Sequence, residues 1–163
     1  MNTAGRSAPS LIISSFFVAL LLSIMPYPDW ASSIRPQWLT LLIIFWCLHA
    51  PLQVGITAGW VSGLLLDVLT GNLLGAQALG MALIAFITLT TYQRLRIFPL
   101  WQQSLVVFAL LLLERLLLYW VISISKGVSP GIEFWFAPVA GLLIWPWLSI
   151  LLTELQLRTS RSL

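Results

Sequence analysis

Long apolar stretches with very few charges are the feature that most limits what this chain can fold into. The region 101–125, for example, carries a single charged pair in 25 residues, and a helix that crosses the hydrocarbon core of a bilayer needs about 20 mostly apolar residues. Only 8% of all residues are charged, whereas an ordinary soluble domain has about 25%. A water-exposed surface cannot be covered with so few charges. The sequence therefore predicts an all-α membrane protein whose exterior faces lipid.

Six apolar stretches can be delimited, and they predict one bundle of six transmembrane helices with no second domain. The second and third are short for complete spans, because the 16 residues from Gln53 to Val68 reach only about 24 Å as a helix. Local thinning of the bilayer or burial inside the bundle would accommodate them. The predicted helices cover residues 11–26, 36–50, 53–70, 73–92, 101–125 and 132–155.

The first stretch follows Arg6 and so has the outline of a secretory signal. No convincing small-x-small cleavage site comes after it, and five more apolar stretches follow. We therefore interpret it as an uncleaved first helix.

The distribution of basic residues predicts that both ends of the chain lie in the cytoplasm. An even number of spans places the two ends on one side of the membrane, and the more basic side is normally cytoplasmic. Tryptophans near the predicted helix ends suit the aromatic belts of a membrane protein; they are Trp30, Trp38, Trp101 and Trp135. The side that holds the ends would carry Arg6, Arg94, Arg96, Arg158 and Arg161, against Arg35 and Lys126 on the other.

Glycines recur every four residues in the third stretch, at Gly55, Gly59 and Gly63. Residues four apart share one helix face, and glycine lets a second backbone approach that face closely. Packing within the chain's own bundle is the favoured interpretation, and docking of a partner's helix is the alternative. Gly71 and Gly75 repeat the spacing, but they are better suited to reversing the chain between two helices.

Asp67 lies one turn before the end of the third stretch. A carboxylate in an apolar span costs several kcal/mol unless it is paired or hydrated, so it is a functional candidate. The alternative is a structural role near the outer interface, in which Asp67 accepts hydrogen bonds from the Gly71-Asn72 turn.

Glu114 and Arg115 form a charged pair about 20 Å along the fifth helix from Trp101. Adjacent residues on a helix point about 100° apart, so each of these charges needs a partner elsewhere. An ion pair between Asp67 and Arg115 is one hypothesis, although their estimated depths differ by roughly 10 Å.

Two further segments combine bulky or charged side chains. The connection that contains Arg94 and Arg96 and leads to Trp101 and Gln102 is interpreted as an anchor to anionic lipid, with a cytoplasmic partner contact as the alternative. The segment Trp145-Pro146-Trp147 lies in the sixth stretch, where Pro146 removes one backbone hydrogen bond and is expected to kink the helix. Such a kink would form either a groove or a packing knob.

Other chemistries find little support in the sequence. The one cysteine, Cys47, cannot form an intramolecular disulfide, and with the one histidine, His49, it cannot build a metal site. The basic residues are too sparse for a nucleic-acid surface. No set of catalytic residues can be assembled, so we predict no enzymatic activity and no cofactor.

Landmarks in a fixed order resemble those of the proteobacterial MreD family over essentially the whole chain. They are Arg35-Pro36-Gln37-Trp38, Leu66-Asp67-Val68-Leu69-Thr70-Gly71 with Gly75, Leu100-Trp101-Gln102-Gln103-Ser104-Leu105-Val106, and Leu143-Ile144-Trp145-Pro146-Trp147.

The resemblance implies a non-enzymatic inner-membrane scaffold of the cell-elongation machinery in rod-shaped bacteria. It implies direct binding to the single-span protein MreC, and an assembly that includes MreB, RodA and a penicillin-binding transpeptidase. It also implies a bundle similar to the substrate-binding subunits of energy-coupling-factor vitamin transporters. The alternative is that the chain is itself such a small-solute-binding subunit. Candidate partner-binding residues are Arg35, Pro36, Trp38, Asp67, Gly71, Gly75, Arg94, Arg96, Trp101, Gln102, Glu114, Arg115, Trp145, Pro146 and Trp147.

Overall fold

The computed structural model describes residues 9–26, 28, 35–71, 73–127 and 129–161. Within these residues every regular element is helical, as predicted. Three residues that the sequence analysis used (Arg6, Trp30 and Asn72) lie outside this part of the chain. The elements are α1 (Pro9–Ile24), α2 (Trp38–His49), α3 (Ile56–Thr70), α4 (Ala76–Leu95), α5 (Leu100–Lys126), a short 3-10 helix (Ile132–Trp135) and α6 (Phe136–Arg161).

Three helical segments are long and apolar enough to cross a membrane: Ala76–Leu95, Leu100–Lys126 and Ile132–Thr159. The other helices, α1, α2 and α3, are apolar but have 16, 12 and 15 residues. The predicted arrangement of six complete spans therefore stays a prediction. Large apolar side chains such as Phe17, Leu105 and Trp120 are exposed around the bundle, as expected where the surroundings are lipid.

Helix α2 lies at the centre of the fold. Ten consecutive residues, Leu39 to Leu48, are buried, and α2 contacts each of the other five helices. A helix that is apolar on every side must be enclosed on every side. At about 18 Å, α2 is too short to cross the hydrocarbon core of a bilayer. Its ends are nevertheless not exposed to lipid, because the neighbouring helices enclose it. The indole N–H of Trp46 donates a hydrogen bond to Ser15 Oγ (3.0 Å) and ties α2 to α1.

Helices α3 and α4 pack closely through two of the three predicted glycines. A Cβ added at Gly59 would lie 2.9 Å from the carbonyl oxygen of Met81, and one at Gly63 would lie 2.7 Å from the backbone nitrogen of Ala78. This face is therefore filled by α4 of the same chain. Gly55 does not share the contact: it precedes α3 as its N-cap, and an added Cβ there meets nothing within 4 Å.

The turn between α3 and α4 needs the glycines that the sequence assigned to it. Gly71 and Gly75 have φ of 64° and 98°, values at which a side chain is strained.

Helix α6 runs without interruption through Pro146. Trp145 is buried, whereas Trp147 is 80% exposed. The indole N–H of Trp145 donates to Gln103 Oε1 (3.3 Å), and Gln103 Nε2 donates to the carbonyl oxygen of Leu95 (3.4 Å). This chain of bonds joins the end of α4, the beginning of α5 and the middle of α6.

Candidate functional site

A cavity of about 580 Å³ opens at one end of the bundle, and five of the predicted site residues line it. The beginnings of α2 and α4 meet the end of α3 and the second half of α5 there, and the segment before α6 completes the wall. Sequence positions far apart, from Ser23 to Ala137, are thereby brought together. The five residues are Arg35, Pro36, Trp38, Glu114 and Arg115.

Glu114 is buried between α2 and α4. Thr40 Oγ1 donates a hydrogen bond to Glu114 Oε1 (2.9 Å), and Gln37 Nε2 donates to Glu114 Oε2 (2.7 Å). On the other side, a Cβ added at Gly80 would lie 3.2 Å from Glu114 Cγ, so the backbone of α4 lies directly against this side chain. Both carboxylate oxygens are thus hydrogen-bonded, one by Thr40 of α2 and the other by its N-cap residue Gln37, as a buried carboxylate requires.

Arg115 contacts the segment before α6. Its guanidinium carbon lies 4.6 Å from the centre of the Phe134 ring, a distance typical of a cation–π contact. Its Nε atom is buried and has no hydrogen-bond partner among the described residues.

Asp67 is fully buried and binds the beginning of α4. Its carboxylate accepts hydrogen bonds from the backbone N–H groups of Gly75 (2.9 Å), Gln77 (3.2 Å) and Ala78 (3.4 Å). The N-terminus of a helix favours negative charge because its first N–H groups have no partner within the helix. The hypothesised ion pair between Asp67 and Arg115 is therefore not formed. Asp67 is a hydrogen-bond acceptor, but the donors are Gly75, Gln77 and Ala78 at the beginning of α4. The Gly71-Asn72 turn was the expected donor, and Asn72 lies outside the described residues.

The remaining predicted residues do not line the cavity. Arg94, Arg96, Trp101 and Gln102 are at the α4–α5 connection, at the opposite end of the bundle. Trp145, Pro146 and Trp147 lie within α6, and Gly71 and Gly75 in the α3–α4 turn. Among the described residues, no three His, Cys, Asp or Glu side chains are grouped as metal ligands would be.

Sequence reasoning missed four polar or aromatic contributors to this geometry. Gln37 and Thr40 stand one turn apart at the beginning of an otherwise apolar helix, a spacing that places both on one face. Gln77 and Phe134 gave no comparable signal. In α5, the buried residues Gln103, Ser104, Val107, Leu110, Leu111, Glu114 and Leu118 recur every three or four positions, and this period marks Glu114 as inward-facing.

Comparisons with known proteins point to one family. The model of the family "rod shape-determining protein MreD" matches residues 5–155. The rod shape-determining protein MreD of Haemophilus influenzae is 30% identical over 148 residues, which cover 89% of this chain and 90% of that protein. No solved structure matches. Both matches agree with the resemblance drawn from the sequence landmarks.

Proposed function

The chain belongs to the family of the rod shape-determining protein MreD, and on that premise we propose that it is a non-enzymatic membrane scaffold of the bacterial cell-elongation machinery. The observation that carries the proposal is the extent of the match, which includes α1 to α5 and most of α6. A role in cell shape belongs to the family as a whole. We further propose that the chain lies in the inner membrane and helps to regulate peptidoglycan synthesis.

A scaffold role agrees with how the buried acids are used. Asp67 is engaged by the backbone of α4, and Glu114 by Thr40 and Gln37. These carboxylates hold helices together, which is the chemistry of a rigid binding platform. We assign neither of them a catalytic role.

The direct partner in this proposal is MreC, with MreB, RodA and the penicillin-binding transpeptidase in the same assembly. The glycine face of α3 is occupied by α4, so we place the docking surface on α6. Leu143, Trp147, Ile150 and Leu151 are all exposed there, and their spacing puts them on one side of the helix. A single transmembrane helix can pack against such a stripe.

Depletion tests the cellular role. A rod-shaped bacterium that carries this chain should become spherical when the chain is removed, and should recover when it is restored. A host that keeps its rod shape after depletion would contradict the scaffold function.

Site-specific crosslinking tests the partner. A photo-crosslinking residue at position 147 should capture MreC, whereas one at position 105, on exposed α5, should capture it much less. Equal capture from both positions would contradict the α6 surface, and no capture of MreC from any exposed helix would contradict direct binding.

The solute-binding alternative draws on one observation, the cavity of about 580 Å³. A transporter subunit should co-purify with its solute or be stabilised against heat by it, and its loss should abolish uptake while leaving cell shape intact. Membership of the rod shape-determining MreD family favours the role in cell shape over solute binding.

A further inference from the structure

The connection between α4 and α5 combines exposed positive charge with exposed apolar side chains. Arg94 lies in the last turn of α4 and Arg96 follows that helix, and both are exposed. Ile97 is 83% exposed, and Trp101, in the first turn of α5, is 68% exposed. The backbone N–H of Ile97 donates to the carbonyl oxygen of Arg94 (3.2 Å), which keeps the connection compact. Two cations and two large apolar side chains therefore lie within eight residues of chain.

The two arginines of this connection form no ion pair with the described part of the chain. Of the four acidic residues in that part, Asp67 binds the beginning of α4, and Glu114 is hydrogen-bonded at the beginning of α2. Glu133 lines the cavity at the opposite end of the bundle. Glu154 is paired with Arg158 (2.6 Å). The charge of the connection is therefore available to an anion from outside these residues.

The length of the connection places it in the headgroup layer of a bilayer. Helices α4 and α5 are both long and apolar enough to cross a membrane, and only residues 96–99 join them. Four residues reach at most about 14 Å when fully extended, so the connection stays close to the membrane surface. Basic residues and indole rings are typical of that depth. A cytoplasmic protein would have to displace lipid headgroups to reach these arginines.

We propose that the α4–α5 connection binds acidic phospholipids in preference to zwitterionic ones. Arg94 and Arg96 are about 200° apart around a helix axis, so each holds its own headgroup phosphate. A guanidinium group fits phosphate oxygens closely, and in a zwitterionic headgroup the amine offsets the phosphate charge. Trp101 and Leu105 are exposed on one face of α5, where acyl chains contact them. This lipid preference goes beyond the scaffold function, since it does not involve the protein partners.

The test uses the full chain purified in dodecyl maltoside and its melting temperature as phospholipid is added. The probes are phosphatidylglycerol and phosphatidylcholine with the same acyl chains. Binding to the folded state raises the melting temperature with lipid concentration, and phosphatidylglycerol should raise it at lower concentrations. High salt should reduce the difference, because salt screens exposed charges. Equal stabilisation by the two lipids at low salt would overturn the proposal and favour a cytoplasmic protein as the partner of this connection.

Variants locate the lipid site. Arg94→Gln and Arg96→Gln should each weaken phosphatidylglycerol binding by about fivefold, and the double variant by about 25-fold, the effect expected of basic residues near an anionic membrane surface. Both arginines are exposed, so these variants should fold as the original chain does. Arg158→Gln is the matched control, because it removes the same charge from an exposed arginine that is already paired with Glu154. An unchanged preference in the double variant, or an equal loss in Arg158→Gln, would overturn the assignment.

Discussion

At the scale of single residues, the buried polar groups of this chain find their partners across helix boundaries. Asp67 on α3 is bonded by the beginning of α4, and Glu114 on α5 by Thr40 on α2. Burial of a polar group without a bond costs several kcal/mol, so these contacts fix how neighbouring helices are aligned. Each can be tested by removing one member and leaving the rest of the interface in place.

Asp67→Asn should destabilise the protein although it hardly changes the volume of the side chain. The amide keeps one acceptor oxygen but loses the negative charge that the α4 N–H groups bind, and it places an NH₂ group beside them. We expect a loss of about 1.5–3 kcal/mol, measured as a lower melting temperature in detergent. Glu154→Gln, at an exposed site, is the control and should change stability by less than about 0.5 kcal/mol.

A charge exchange separates this interpretation from the hypothesised ion pair. Because Asp67 binds backbone groups and not Arg115, the double variant Asp67→Arg with Arg115→Asp should be no more stable than either single variant. Recovery of stability in the double variant would contradict the observed geometry.

Gln103 and Gln102 are neighbours with different surroundings, and they make a second matched pair. Gln103→Leu leaves the buried indole N–H of Trp145 without its acceptor, so we expect a loss of about 1–3 kcal/mol. Gln102 is only partly buried, and Gln102→Leu should have a much smaller effect on the melting temperature. Equal losses in the two variants would show that the bond to Trp145 does not contribute.

Sequence reasoning found the residues of the site more readily than their partners. Arg35, Trp38, Glu114 and Arg115 stand out as charges or aromatic rings in apolar surroundings, and all four reach one cavity. Their meeting depends on how α2 and α5 are rotated about their axes, which composition does not reveal. The depth estimate that related Asp67 to Arg115 used position along each helix alone. It therefore overlooked the nearer donors at Gly75, eight residues away in the chain.

At the scale of helices, close approach between α3 and α4 depends on the absence of side chains. Gly63→Ala would force a methyl group against the backbone of Ala78, and such overpacking typically costs about 1–3 kcal/mol. Gly55→Ala is the control, because an added Cβ there meets nothing within 4 Å. The melting temperature should fall in the first variant and stay nearly constant in the second. A comparable fall in both would mean that the glycines matter for flexibility and not for packing.

The sequence predicts that each of the six helices exists, but it does not predict where each helix begins and ends. Apolar stretches predict helices because neither lipid nor the protein interior offers hydrogen-bond partners to the backbone. A helix satisfies its backbone N–H and C=O groups within the same segment. The observed end differs from the predicted one where polar residues continue a helix. Helix α4 extends through Gln93 and Arg94 to Leu95, beyond the predicted end at residue 92. Pro36 was expected inside the second helix, but α2 begins at Trp38, after the N-cap Gln37.

At the scale of the whole molecule, the cavity and the basic α4–α5 connection lie at opposite ends of the bundle. The cavity lies where α2 and α4 begin and where α3 ends, beside the second half of α5. The α4–α5 connection, with Arg94 and Arg96, lies at the other end of the bundle. If the more basic end is cytoplasmic, the cavity opens toward the outer face of the membrane.

Two exposed isoleucines allow this orientation to be measured in one experiment. Ile132 precedes α6 at the cavity end and is 79% exposed, and Ile97 lies in the α4–α5 connection and is 83% exposed. Because Cys47 is the one cysteine of the chain, Cys47→Ala gives a cysteine-free background in which Ile132→Cys and Ile97→Cys can be compared. In intact spheroplasts a membrane-impermeant maleimide should label position 132 but not position 97, and detergent should make position 97 reactive. The positive-inside rule requires this order, since moving the arginines of the α4–α5 connection to the outer face would reverse the favoured charge distribution. Labelling of position 97 before permeabilisation would contradict cytoplasmic ends, and it would place the mouth of the cavity in the cytoplasm.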